Sequence, residues 1–280
     1  MTFPFDITIN LDQSNIAGVQ NRTIKINGGI TTFLGPNGSG KTQLLRGLKR
    51  SLNSHLNEKK IRYISAGRLG PMENFRSDYD GQRGMPRFEN ATFGDKTATS
   101  RRHQTETILG DFATLSERPD ILIKVQERLR KLFKRDIIID WDGGNLKVFF
   151  ARVDQENTSN YSSAREASGL LHLVAMLSAL YDDEVGCLLI DEPEVSLHPQ
   201  LQSFLLSEII KVAGANTEQG KKLIFISTHS TEFIELSSVE QLSCIVFCKD
   251  ILTDPVQIDP NLEEFKGKKL KALLARLGQE

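Results

Sequence analysis

Net charge, disulfide chemistry and membrane-length apolar runs are what this sequence has least of. Thirty-five basic residues stand against 36 acidic ones, for a formal net charge of −1. No global field therefore draws the chain to nucleic acid or to a membrane, and any such contact must come from a local patch. No apolar run is long enough to cross a bilayer, and no membrane partner is expected. The opening MTFPFDITIN has no basic start followed by an apolar stretch. It does not read as a secretory signal, and the expected location is cytoplasmic. Cysteine occurs three times, at Cys187, Cys244 and Cys248, each in an apolar strand-like run. With no CxxC pair and no Cys/His cluster, neither a disulfide framework nor a zinc site is indicated. Reduced core thiols are.

What is there is ordinary for a globular chain: 39% hydrophobic and 25% charged residues over 280 positions. That length allows one large domain or two small ones. Residues 3–34 alternate in short pieces, FDITINL, TIKI and ITTFL, which read as antiparallel strands with a turn at Asn27-Gly28-Gly29. A helix is expected from about Lys41 to Leu56 with Leu44, Leu45 and Leu48 on one face, and a strand at IRYISA, 61–66. Residues 67–107 carry few aliphatic side chains and many Gly, Arg and Asp, and read as a long functional or mobile loop. An amphipathic helix over 120–134 presents Ile121, Val125, Leu129 and Leu132 as one stripe. A hairpin then turns at Asp142-Gly143-Gly144-Asn145. After a polar loop, 154–167, come the helix SGLLHLVAMLSAL, the strand CLLID, a helix from His198 to Val212, the strand KLIFIST, a short helix near Glu232 and the strand CIVFC. Residues 261–278 read as a basic amphipathic helix. Alternating strand and helix in the last third favours a parallel α/β sheet.

Four stretches carry chemistry. GPNGSGKT, residues 35–42, matches GxxxxGK[ST] in full between a strand and a helix. Its glycines let successive backbone N–H groups face phosphate oxygens, and the helix N-terminus adds a favourable partial charge. Gly35, Pro36, Asn37, Gly38, Ser39, Gly40, Lys41 and Thr42 are thus candidates for holding a nucleoside triphosphate. Lys41 can reach the β- and γ-phosphates, and the Thr42 hydroxyl can ligate Mg²⁺. CLLIDEPE, 187–194, is a buried strand that presents Asp191 at its C-terminal end, where ligand sites of open α/β sheets lie. Asp191 suits Mg²⁺ or its water, and Glu192 suits a general base. STHS, 227–230, places His229 at the end of the next strand, within reach of a γ-phosphate. In EASGLLHLVAML, Ser168 is a candidate N-cap and Gly169 allows close approach. Plain capping and a second anion site are both open there.

In this order the four stretches resemble the ATP-binding-cassette (ABC) ATPase superfamily. GPNGSGKT is similar to Walker A, CLLIDE to Walker B with its catalytic glutamate, Ser168-Gly169 to the signature motif, and STHS to the switch-histidine motif. DEPEVSLHPQ differs from the transporter pattern. It is similar to the RecF- and SMC-like branch, and most of all to overcoming-lysogeny-defect and related phage-defence ATPases. Only Ser168 and Gly169 match LSGGQ, and no Q-loop glutamine follows IRYISA, with Gln82 distant and Arg68 nearer.

The resemblance implies a P-loop NTPase fold with an ABC-like mixed sheet, an antiparallel N-terminal part and an insertion at about 67–160. The whole of 1–280 would form one domain, with 261–278 as a possible linker. It implies ATP and Mg²⁺ as cofactors and catalytic roles for Lys41, Glu192 and His229. It also implies a homodimer that sandwiches ATP between one chain's Walker A and the other's Ser168. A nuclease of the topoisomerase-primase type, as a following domain or a separate protein, is an expected partner, and the chain is either a stand-alone ATPase or the ATPase half of something longer. DNA is the further expected partner, through the arginines at 68, 76, 83, 87, 101 and 102. Acidic neighbours balance them, so a solvated loop is the other reading. Two functions follow: an ATPase driving a DNA-directed assembly in phage defence or repair, or a nucleotide-gated binding module with little turnover. A transporter ATPase is a weaker third.

Overall fold

Two short strands open the chain as an antiparallel pair, β1 (Phe5–Ile9) and β2 (Arg22–Ile26). Their period-2 pattern buries Ile7 and Ile9 from one strand and Ile24 and Ile26 from the other. The third strand, β3 (Ile30–Leu34), does not continue this pair as its sequence position suggested. It is buried at all five positions, and a strand buried on both faces belongs in the middle of a parallel sheet.

The structure, a computed structural model, describes residues 2–53, 56, 58–72, 91–153, 160–215, 217–235 and 240–257. The chain divides into two compact units, one formed by Met1–Ala66 with Glu184–Glu280 and the other by Gly67–Asp183. The helix expected over 261–278, Gln82 and the arginines at 76, 83 and 87 lie outside the described residues.

In the first unit a six-stranded sheet follows β4 (Lys60–Ile64), with later strands β8, β9, β10 and β11 described below. Strands β5 (Arg135–Asp142), β6 (Asn145–Arg152) and β7 (Tyr161–Ser162) belong to the second unit. The remaining members of the large sheet are β8 (Val185–Asp191), β9 (Leu223–Thr228), β10 (Ile245–Phe247) and β11 (Val256–Gln257). The order is β11-β10-β3-β9-β8-β4. Only the β10–β11 pairing is antiparallel. All seven residues of β8 and all six of β9 are buried, which explains their unbroken apolar runs. The helix Lys41–Leu52 lays Leu44, Leu45 and Leu48 on a core with Ile9, Ile26, Leu189 and Phe225. It ends four residues earlier than its sequence pattern implied, yet Leu56, at 2% exposure, still joins that core.

Register decides which loops meet at one edge of this sheet. Leu34 pairs with Thr228 and Asp191 with Ser227, so β3, β8 and β9 end at the same edge. The three loops that leave those ends carry the three motifs read from the sequence.

The second unit packs helices Ile108–Glu117, Pro119–Phe133 and Ser168–Tyr181 with the sheet β5-β6-β7. Gly143 and Gly144 take φ of 57° and 81° in the β5–β6 turn, the double left-handed pair that a two-residue hairpin requires. The helix Ser168–Tyr181 is buried at every position from Leu170 to Leu180, as a central helix is. On Pro119–Phe133 the stripe Ile121, Val125 and Leu129 is buried, whereas Leu132 in the last turn is 40% exposed. Within 67–107 the described residues 67–72 and 91–107 include short helical turns and backbone pairing that their composition did not suggest. Phe93 donates to the Leu146 carbonyl at 2.9 Å and Leu146 to that of Gly94 at 2.8 Å, which adds the segment to the β6 hairpin. Arg68, fully buried, donates to His172 Nδ1 at 2.5 Å. It is therefore a core residue and not a nucleic-acid contact.

Cys187, Cys244 and Cys248 are free and buried. Burial raises all three thiols, Cys248 to about 12 with the nearby Lys41 pulling slightly the other way. The folded state holds these protons to higher pH than the unfolded chain. Their stabilising contribution is thus full below about 8.5 and falls as pH rises through the folded value. The urea midpoint is expected to drop between about pH 8 and about pH 10.5, and to drop less in Cys248→Ala. At about pH 8 a thiol reagent should modify no cysteine in the native protein and every cysteine after denaturation.

Candidate nucleotide site

The loop between β3 and the helix Lys41–Leu52 is held from outside by the segment after β10. Cys248 donates to the Leu34 carbonyl at 2.8 Å. A Cβ on Gly35 would lie 2.1 Å from the Cys248 carbonyl oxygen, so this close approach admits only glycine. Gly38 and Gly40 take φ of 85° and 88°. That left-handed curl turns the chain into the helix, whose N-cap is Gly40 with no side-chain cap. The amides of the first turn are thereby available to an anion.

Lys41 is only 5% exposed. Its Nζ donates to the Gly35 and Pro36 carbonyls, each at 2.8 Å. Burial depresses its pKa, and the Cys248, Glu192, Asp191 and Glu194 side chains act against that shift. Thr42 Oγ1 donates to Asp191, at 3.1 Å to Oδ1 and 2.9 Å to Oδ2. The contact spans 149 positions of sequence and joins the start of the helix Lys41–Leu52 to the end of β8 directly. Tyr63 on β4 also donates to Asp191, at 3.1 Å, and so does Ser227 at the end of β9. Burial, then the Asp191 charge, pushes the Tyr63 phenol far up, so it stays a donor.

Beside this network lies a cleft of about 350 Å³. Asn37, Gly38, Gly40, Lys41 and Thr42 form one side, Glu192 another, and Ile16 with Ile251 an apolar flank. Glu192 sits at φ 48°, a left-handed conformation rare for a side chain of its kind, and its amide donates to the Ser227 carbonyl at 2.9 Å. The hard oxygens of Thr42 and Asp191 suit Mg²⁺. Among the described residues there is no cluster of three or more His, Cys, Asp or Glu able to hold a metal. A magnesium ion there would need phosphate oxygens or water to complete its shell.

Two expected site residues stand differently. The His229 side chain is 49% exposed, and its Nδ1 lies 3.1 Å from Glu194 Oε1; it does not line the cleft. Ser168 is the first residue of its helix and not the N-cap. Ala167 holds that place without a side-chain cap, while the Glu166 carboxylate accepts from the Ala167 amide at 2.8 Å. Ser168 and Gly169 belong to the Gly67–Asp183 unit, whereas the cleft is built by the other.

Tyr63, Ser227 and Glu194 were not singled out from the sequence. Ser227 and Glu194 sit inside motifs already quoted, so a register argument would have found them. Nothing local marks Tyr63, which is brought in by the order of strands alone.

The family model described as "AAA domain, putative AbiEii toxin, Type IV TA system" matches residues 82–235, more than half of the chain. The chain belongs to that AAA-domain family. The matched span contains Ser168, Asp191, Glu192 and His229, and begins after the phosphate loop. No curated protein matches the chain. Among solved structures it is similar to a bacterial ABC transporter cassette in dimeric form, at 13% identity over 91% of this chain and 98% of that one, with a TM-score of 0.44. It is similar to the ATP-binding subunit of an ABC transporter at 15% identity, covering 99% and 98%, with a TM-score of 0.48. An SMC head bound to the C-winged helix domain of ScpA follows at 12%, 94% and 99%, with a TM-score of 0.47. Likeness at this level says nothing of what the chain binds or does. The family and the sheet together make this a P-loop ATPase fold, α/β with one mixed sheet.

The loop geometry separates its glycines. Gly38→Ala meets no atom within 4 Å and carries only the left-handed strain, roughly 1–2 kcal/mol. Gly35→Ala drives a methyl into backbone. In thermal unfolding Gly35→Ala is expected to lower the Tm well below that of Gly38→Ala, and equal losses would refute the close approach.

Proposed function

We propose that the two units work as one ABC-type ATPase domain that binds and hydrolyses ATP with Mg²⁺. The observation that carries this is the Thr42–Asp191 contact, which puts a phosphate loop and an acidic strand end on one cleft. The bound nucleotide and metal would supply the γ-phosphoryl bond and its electrophilic phosphorus. Lys41 would exchange its two carbonyl acceptors for phosphate oxygens and keep its charge against the leaving anion. Thr42 and Asp191 would hold the metal, directly or through water. Glu192, on the wall of the cleft, would orient a water and take its proton as general base. His229 would act on the γ-phosphate side once the site is closed.

Gly35, Pro36, Asn37, Gly38, Ser39 and Gly40 would cradle the phosphates. Ser168 and Gly169 of a second copy would complete the cleft in an ATP-sandwiched homodimer. Closure would depend on ATP binding the closed state more tightly than the open one. DEPEVSLHPQ supports the RecF-, SMC- and overcoming-lysogeny-defect-like branch. The assembly driven would be a DNA-directed or nuclease one in phage defence or repair. The family's description adds a toxin–antitoxin system as a setting.

Steady-state hydrolysis and light scattering test this reading. Wild type is expected to turn over, and Glu192→Gln to lose about a hundredfold or more in kcat while ATP-dependent dimers accumulate. Wild-type turnover at background, with ATP-dependent dimers still formed, would replace the ATPase by a nucleotide-gated module.

A further inference from the structure

The acidic turn after β8 carries two glutamates, and they go to different places. Glu192 lines the cleft, whereas the Glu194 side chain is 7% exposed and lies against the end of β9. One oxygen of Glu194 accepts from Thr228 Oγ1 at 2.8 Å and from the His229 amide at 2.9 Å, and His229 Nδ1 lies 3.1 Å from the same oxygen. The other oxygen, Oε2, is buried without a hydrogen-bond partner among the described residues. No Lys or Arg forms a salt bridge with Glu194 among the described residues.

We propose that Glu194 is the positioning residue of His229, holding the imidazole as its Nδ1–H tautomer so that Nε2 is the nitrogen offered to a ligand. A carboxylate only accepts, so the ring nitrogen facing it carries the proton. Neutral histidine free in water prefers the other tautomer, so the carboxylate has something to reverse. The anchoring extends along the chain. The Ser230 amide donates to Thr228 Oγ1 at 2.9 Å, and Ser230 Oγ donates to Gln202 at 2.8 Å. Both backbone and ring of His229 are thereby tied to one acidic turn, with half the side chain left accessible. An orienting carboxylate behind a working imidazole is a common device, and its loss typically costs 10–100-fold.

The proposal deepens the reading of His229 as the γ-phosphate histidine and rests on it for its catalytic consequence, though not for its spectroscopic one. The test uses the full chain labelled with ¹⁵N, at a pH that leaves imidazoles neutral. There are five histidines, so the His229 ring signals are assigned by their loss in His229→Gln. The expected result is the Nδ1–H form in wild type, a shift to Nε2–H in Glu194→Ala, and the Nδ1–H form kept in Glu194→Gln, whose amide oxygen can still accept. Hydrolysis by Glu194→Ala should fall about 10–100-fold in kcat with KM for ATP changed less than about threefold, and Glu194→Gln should recover much of it. An Nε2–H ring in wild type, or an unchanged ring in Glu194→Ala, overturns the proposal. Should Glu194→Ala not fold, the wild-type and Glu194→Gln spectra decide it alone. The expected spectra with no turnover in wild type would overturn the ATPase reading and uphold Glu194 as the group that sets the ring.

Discussion

Three hydroxyls converge on the Asp191 carboxylate, from Thr42, Tyr63 and Ser227. The site depends on this convergence more than on any one motif. Asp191 is 3% exposed, and a carboxylate that deep is tolerable only when its oxygens are satisfied. Its donors come from the start of the helix Lys41–Leu52, from β4 and from β9, while Asp191 itself ends β8. One side chain thus ties four elements at the sheet edge where three loops emerge. Neutral hydroxyls suit the task, since they satisfy the charge without fixing it. A hydroxyl can turn to another acceptor, whereas a bidentate arginine would commit the carboxylate for good.

The same edge holds groups that folding alone would not choose. Glu192 stands at φ 48° and Ser196 at φ 61°, each at a cost of about 1–3 kcal/mol. Lys41 is buried, and burial depresses its pKa. The native state therefore holds that proton less tightly than the unfolded chain does, and its charged form destabilises the fold below the folded pKa. An anion beside Lys41 would reverse that sign. Strain in the acidic turn and an under-satisfied cation in the loop both point toward a ligand that relieves them, which is the physical sense in which the cleft is prepared.

Some of this was legible in the sequence and some was not, for reasons that differ by residue. The curl of Gly35 to Thr42 could be read because glycines and a lysine at fixed offsets form a local pattern. The place of Asp191 at the end of a buried strand could be read because an apolar run that stops at an acid is a local signal. The placement of β3 could not be read from alternation, because Thr31 and Thr32 look polar yet are buried at 1% and 3%. Tyr63 was invisible, since only strand order puts β4 beside β8. Ser168 was misplaced by one position because Ala167, an unusual N-cap, takes the place without any side-chain cap. Residues 93–95 were read as loop because their order comes from Leu146, some fifty positions away.

The two glutamates of DEPE show how a short stretch divides labour. Positions two apart on an extended strand would share one face. Here the left-handed residue at Glu192 breaks that alternation at once. Glu192 stays on the cleft wall, its amide still tied to Ser227, while Glu194 turns under the end of β9. Without the positive φ the second carboxylate would follow the first toward the cleft, and two like charges would stand side by side. Backbone strain at Glu192 therefore does electrostatic work. It leaves one carboxylate on the cleft wall and sets the other against Thr228 and His229.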